Sequence, residues 1–151
     1  MKVGFVIGAA LMLLASSSSA ACAQAATETT PAESVVVLDD ALEPWVSSAY
    51  RAAGLCYATM VQLINEHAVF TDANRLANAE KLKDALAAKI DAARTELFAK
   101  GLTFEQSQAI DGYFYELTQP KTARYVATRQ ADALAIDLRT CPAAVQRLQQ
   151  G

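Results

Sequence analysis

Along two long stretches of this chain the apolar residues recur every three or four positions, a spacing that an α-helix gathers onto one side and a strand does not. The first stretch carries Trp45, Ala49, Ala53, Cys56, Met60 and Leu63, broadened by Val46, Tyr50, Tyr57, Val61 and Ile64. The second carries Leu76, Ala79, Leu82 (or Lys83), Leu86, Ile90, Ala93 and Leu97, with charged residues filling the remaining positions. The run Val35-Val36-Val37-Leu38 has strand composition, but no second strand candidate follows it, so docking on helices is its expected fate. The chain therefore reads as all-α, a small up-down bundle of about four helices.

Local signals place the boundaries. The first helix is predicted from Glu43 or Pro44 to Glu66, with Asp40 as its cap and Pro44 in its opening turn. The second is predicted from a Thr71 or Asp72 cap to Lys100, where Gly101 offers the left-handed residue that closes many helices. Thr103-Phe104-Glu105-Gln106 matches a capping box, opening a third helix through Ile110, Phe114 and Leu117 that Pro120 is expected to end. A fourth is predicted over residues 121–140, with Tyr125, Val126, Ala133, Ile136 and Leu138. Cys141-Pro142 breaks it before a last amphipathic turn bearing Val145 and Leu148.

The amino end sets the compartment. Lys2 precedes an apolar, acid-free run over residues 3–15, and small residues follow in Ser16-Ser17-Ser18-Ser19-Ala20-Ala21-Cys22-Ala23. That order is a secretory signal, and its apolar core is shorter than the about 20 residues that span a bilayer. Cleavage after Ala23 is favoured. A lipid anchor on Cys22 is the rival reading, weakened because Ser19-Ala20-Ala21 lacks the leading Leu of a lipobox. The expected organisation is thus a signal peptide over 1–23, a flexible tether over 24–38 and a helical bundle over 39–151, acting in the periplasm or outside the cell. Loss of Lys2 leaves 12 basic against 16 acidic side chains, a net charge of −4. That balance disfavours a nucleic-acid partner, which calls for a basic face.

Once Cys22 is removed or acylated, Cys56 and Cys141 remain, and in an oxidising compartment a leftover pair is expected to bridge. A redox pair would sit close in sequence with a lowered pKa, which these two do not.

Catalytic and cofactor signatures are missing. His67 is the sole histidine and lacks the partners of a metal site; its place at a helix end suits the dipole instead. There is no haem attachment, no Gly-x-Ser-x-Gly elbow and no Gly-rich phosphate loop. The acids Asp39-Asp40-Glu43 and Asp111 with Glu116 are read as helix-entrance and polar-face residues. No cofactor or metal is expected, and no enzymatic activity.

Two surface features point to a partner. Lys121, Arg124, Arg129 and Arg139 make the predicted fourth helix basic. Tyr113-Phe114-Tyr115, with Tyr125 beyond, holds more aromatics than one helix face buries, so Tyr113 or Tyr115 should point outward. The candidate partner surface is Tyr113, Tyr115, Arg124, Tyr125 and Arg129. Separately, Leu102-Thr103-Phe104-Glu105-Gln106 resembles the Leu-Thr-x-x-Gln motif of the Spy-like periplasmic chaperones, a resemblance that implies a small, helical, exported chaperone. It covers five residues; that family usually shows the motif twice, and Leu117-Thr118-Gln119-Pro120-Lys121 does not complete a second copy. The leading expectation is a non-enzymatic protein that binds another envelope protein or peptide through a helical face. The alternative is a carrier or sensor of a small apolar ligand held within the bundle.

Overall fold

The computed structural model describes residues 36–66, 69–70 and 72–148. The predicted signal peptide with Cys22, the tether as far as residue 35, Thr71 and His67 lie outside the described residues. Four α-helices pack together and no strand occurs among the described residues: α1 Ser48–Asn65, α2 Ala73–Ala99, α3 Phe104–Thr128 and the short α4 Cys141–Arg147. Three-residue 3-10 turns precede α1 (Glu43–Trp45) and lie between α3 and α4 (Ala131–Ala133 and Leu138–Thr140).

Helix α1 is the axis of the molecule and touches α2, α3 and α4. Its buried positions include Tyr50, Ala53, Cys56, Ala58, Thr59 and Leu63. At 100° per residue these point in every direction around the helix, the signature of an enclosed element. Leu38 and Leu42 pack into the same core, whereas Val37 is 75% exposed, so the apolar run before the bundle docks by alternate side chains.

The start of α1 differs from the expectation. Ser47, and not Asp40, caps it, its hydroxyl accepting the Tyr50 amide at 3.2 Å. Glu43–Trp45 forms its own 3-10 turn, which accommodates Pro44. Asp39 supports that approach by accepting the Ala41 amide at 2.8 Å.

The corner between α2 and α3 follows its local signals closely. Asp72 caps α2 by accepting the Asn74 amide at 2.8 Å. At the other end Gly101 adopts φ +107°, open only to a residue without Cβ strain. The Gly101 and Leu102 amides then bond the carbonyls of Phe98 (3.1 Å) and Leu97 (3.0 Å), a Schellman closure, and Leu102 is buried. Thr103 and Gln106 exchange hydrogen bonds at 3.2 and 2.9 Å, completing the capping box.

Beyond Leu117 two expectations fail together. Pro120 lies inside α3 and does not end it, and the predicted fourth helix over 121–140 does not form. The proline removes one amide, but the preceding turn has other support. The Thr118 hydroxyl donates to the Phe114 carbonyl at 2.8 Å, and the Gln62 amide of α1 donates to the Tyr115 carbonyl at 3.1 Å. The helix then closes at Arg129 in the left-handed region, φ 60°. Downstream, Leu134, Ile136 and Leu138 are spaced by two, which makes no helical face; Leu134 and Ile136 are half-buried in irregular chain and Leu138 is half-buried at the start of the turn Leu138–Thr140.

The Cys56–Cys141 disulfide is present, with Cα atoms 5.7 Å apart and both residues fully buried. It anchors α4 against α1 across 85 positions of sequence. In the loop-entropy account such closure is worth about 4–5 kcal/mol, a large share of the stability of a domain this size. Urea unfolding of Cys56→Ala/Cys141→Ala should accordingly show a stability loss of about 4 kcal/mol, with limited proteolysis cutting first within residues 129–140.

Candidate functional site

The helix faces at the α1–α3 contact explain how a pocket arises there. Gly54 in the middle of α1 has no side chain, and the Phe114 ring occupies that space; a Cβ at Gly54 would overlap the ring. Phe114 therefore sits deep, in tilted contact with Tyr50 (centroids 6.2 Å apart) and Tyr113 (5.5 Å). On α3, Gly112 faces open space, with nothing within 4 Å of where its Cβ would stand. Between these two glycines lies a half-open, mostly apolar pocket of about 390 Å³, walled by Tyr57 and Val61 of α1, Ile90 of α2, and Phe114 and Tyr115 of α3.

Its rim carries Asp111 and Glu116, the acid pair that the sequence analysis assigned to a polar face. Asp111 is engaged: both its oxygens accept from the Arg94 guanidinium of α2, at 2.7 and 2.9 Å. Burial raises its carboxyl and the Arg94 charge lowers it, with a net rise. Since the side chain is 52% exposed and bonds Arg94 through both oxygens, we assign it the ionised state at neutral pH. Burial also raises the Tyr50 hydroxyl, more than the adjacent Arg94 guanidinium lowers it. Burial works against the Arg94 charge, but Tyr50, Asp111 and Asp91 together hold it above its usual value. The entrance acids have structural duties as well: Glu43 accepts from Arg51 at 3.0 and 3.1 Å.

The five residues of the predicted partner surface do not form one patch. Tyr113 is half-buried, its hydroxyl accepting from Arg51 at 2.9 Å, with the same guanidinium 5.7 Å from its ring centre. Tyr115, 200° further round α3, is 46% exposed and lines the pocket. It is the outward-pointing member of the pair. Arg124 and Tyr125 lie two to three turns further on, about 15 Å along the helix axis, and Arg129 is the C-cap of α3. The basic helix face does not exist as expected, because no helix joins Lys121 to Arg139. Arg139 belongs to a separate turn, where Asp137 binds it at 2.8 Å.

Sequence reasoning missed Gly54, Gly112, Tyr57 and Val61 as site residues. The only signal available was a pair of glycines inside helical stretches, where glycine is unfavourable by about 1 kcal/mol unless something needs the space. The Leu102–Gln106 motif is fully used in turning the chain from α2 to α3. Among the described residues no three His, Cys, Asp or Glu side chains converge as a metal site. No family model matches this chain, and no curated protein or solved structure matches it.

Two outcomes follow from this packing. Gly54→Ala should lower stability by about 1–2 kcal/mol, overpacking against Phe114 outweighing the gain in helix propensity. In a Phe114→Leu background the same change should be neutral or stabilising, a reversal readable in urea unfolding. The second concerns Tyr50, whose hydroxyl titrates above the ordinary 10.0 in the folded state. Stability carried by its neutral form is intact below that value and is lost as pH rises through the higher folded pKa. Absorbance at 295 nm should show one of the five tyrosines ionising late, together with alkaline unfolding, and Tyr50→Phe should remove the late step.

Proposed function

We propose that this chain is a non-enzymatic binding protein, periplasmic or secreted, which receives an apolar group of a partner protein or peptide in the α1–α3 pocket. The observation that carries this reading is the pocket itself. Gly112 leaves it open while Gly54 lets the Phe114 ring sit deep in its wall, the walls are aromatic and aliphatic, and the exposed Tyr115 ring lines it. Large exposed aromatics beside an apolar recess are the usual makings of a recognition surface.

Export is supported by the buried cystine, a bond that persists outside the reducing cytosol. No helix among the described residues is long and apolar enough to cross a membrane. A reading without catalysis is favoured by the engagement of two of the candidate acids, Asp111 with Arg94 and Glu43 with Arg51. A carrier of a small apolar ligand is the second reading. The volume favours it, since about 390 Å³ falls within the range of about 300–1,000 Å³ common to small-molecule sites.

Gly112→Leu tests both readings without weakening the helix, because leucine is the better helix former and its side chain enters open space. A naphthyl dye should bind the parent protein saturably, and Gly112→Leu and Tyr115→Ser should each weaken it by at least about fivefold, or about 1 kcal/mol, while thermal unfolding of Gly112→Leu stays unchanged or rises. Dye binding indifferent to both variants would place recognition elsewhere. Native mass spectrometry of protein recovered from its own compartment then separates the readings: a retained small mass marks a carrier, a retained polypeptide marks a binder.

A further inference from the structure

A second groove, of about 780 Å³, runs between the Glu43–Trp45 turn, the C-terminal half of α2 and the end of α4. Trp45, Leu97 and Leu148 form its apolar walls, each half-buried against the core. Its charged residues are Lys89, Lys100 and Arg147, against the single acid Glu96. The groove thus holds a local charge of +2 within a chain whose net charge is −3.

Helix ends explain part of this. Lys100 caps α2 and Arg147 closes α4, positions where the helix dipole attracts cations. Lys89 lies ten residues inside the C-terminal end of α2, beyond the reach of that effect. The dipole supplies only about half a charge at each end, so it does not neutralise the set. Glu96 stands four residues before Lys100, the spacing of a helical ion pair, yet no ion pair of Lys89, Lys100 or Arg147 occurs among the described residues. Cations without an acidic partner, beside the apolar side chains of Trp45, Leu97 and Leu148 in a groove of mixed polarity, are complementary to a molecule with an anionic head and an apolar body.

We infer that this groove binds a single-chain amphipathic carboxylate, its alkyl body against Trp45, Leu97 and Leu148 and its head facing Lys89, Lys100 and Arg147. The inference is independent of the α1–α3 pocket. The volume again lies in the range of small-molecule sites.

Trp45 is the only tryptophan in the chain, so its emission reports on this groove alone. The intact protein is titrated with decanoate, decanol and decylammonium below 1 mM, followed by Trp45 fluorescence and by calorimetry. Decanoate is expected to shift the emission saturably and to bind more tightly than the other two. Raising salt from about 0.05 to 0.5 M should weaken it severalfold. Lys89→Gln/Lys100→Gln should reduce decanoate affinity by about tenfold and leave decanol within about twofold. Neither lysine is fully buried or held in an ion pair among the described residues, so folding is expected to be preserved, and circular dichroism checks this. Equal binding of decylammonium or decanol, decanoate binding indifferent to the double variant, heat of binding without a change in Trp45, or no binding at all would each overturn the assignment.

Discussion

The enclosure of α1 is the constraint on which the other elements depend. A helix buried on every side must be met by neighbours on every side, and α2 and α3 alone leave the Cys56 face open. The chain that closes it is poorly equipped to do so unaided. After Arg129 it makes two 3-10 turns and one helix of seven residues, too short to be stable alone. Ala133, Cys141 and Ala144 are its fully buried residues, and two of these are alanines that bury little area. The disulfide makes up the deficit by restricting the unfolded chain, so that weak packing suffices to hold the segment in place.

What was legible in the sequence divides along the same line. Where local chemistry decides, the reading was accurate at the corner between α2 and α3, though not at the start of α1, where Ser47 took the capping place expected of Asp40. The Gly101 closure and the Thr103–Gln106 box each involve residues within a few positions of one another and form as read, and Asp72 is the one of the two expected caps, Thr71 or Asp72, that closes the start of α2. The cystine was legible because the expected oxidising compartment and the count of cysteines point to it with little help from geometry. Pro120 was misread because the support for its turn comes from elsewhere. Gln62 reaches it from α1, 53 residues away from the Tyr115 carbonyl that it binds. The segment after it was misread because the expectation groups Tyr125, Val126, Ala133, Ile136 and Leu138 into one helical set, whereas Leu134, Ile136 and Leu138 repeat by two. The spacing was the better guide, and Ile136 and Leu138 pack against the core from outside any α-helix.

The candidate site shows a similar split. That one of Tyr113 and Tyr115 must face outward follows from helix geometry, and Tyr115 does. The pocket beside it was invisible because it is made of what is missing. Gly54 gives its space to the Phe114 ring, and Gly112 leaves its space open, so two identical residue types do opposite things. No reading of the sequence distinguishes them, since the difference lies in what the facing helix places opposite.

Tyr50 joins the two recesses of the molecule, lining both the α1–α3 pocket and the groove bounded by Trp45. It is 3% exposed, so it acts as a partition, with the Arg94 guanidinium near its hydroxyl. The two sides differ in charge. Asp111 and Glu116 edge the first, and Arg94 compensates only Asp111, so the remaining carboxylate disfavours anions there. Lys89, Lys100 and Arg147 edge the second and disfavour cations. Apolar walls alone would admit the same molecules to both, because hydrophobic burial is not directional. The charges at the edges sort them, so a neutral or cationic apolar group fits the first recess and an anionic one fits the second.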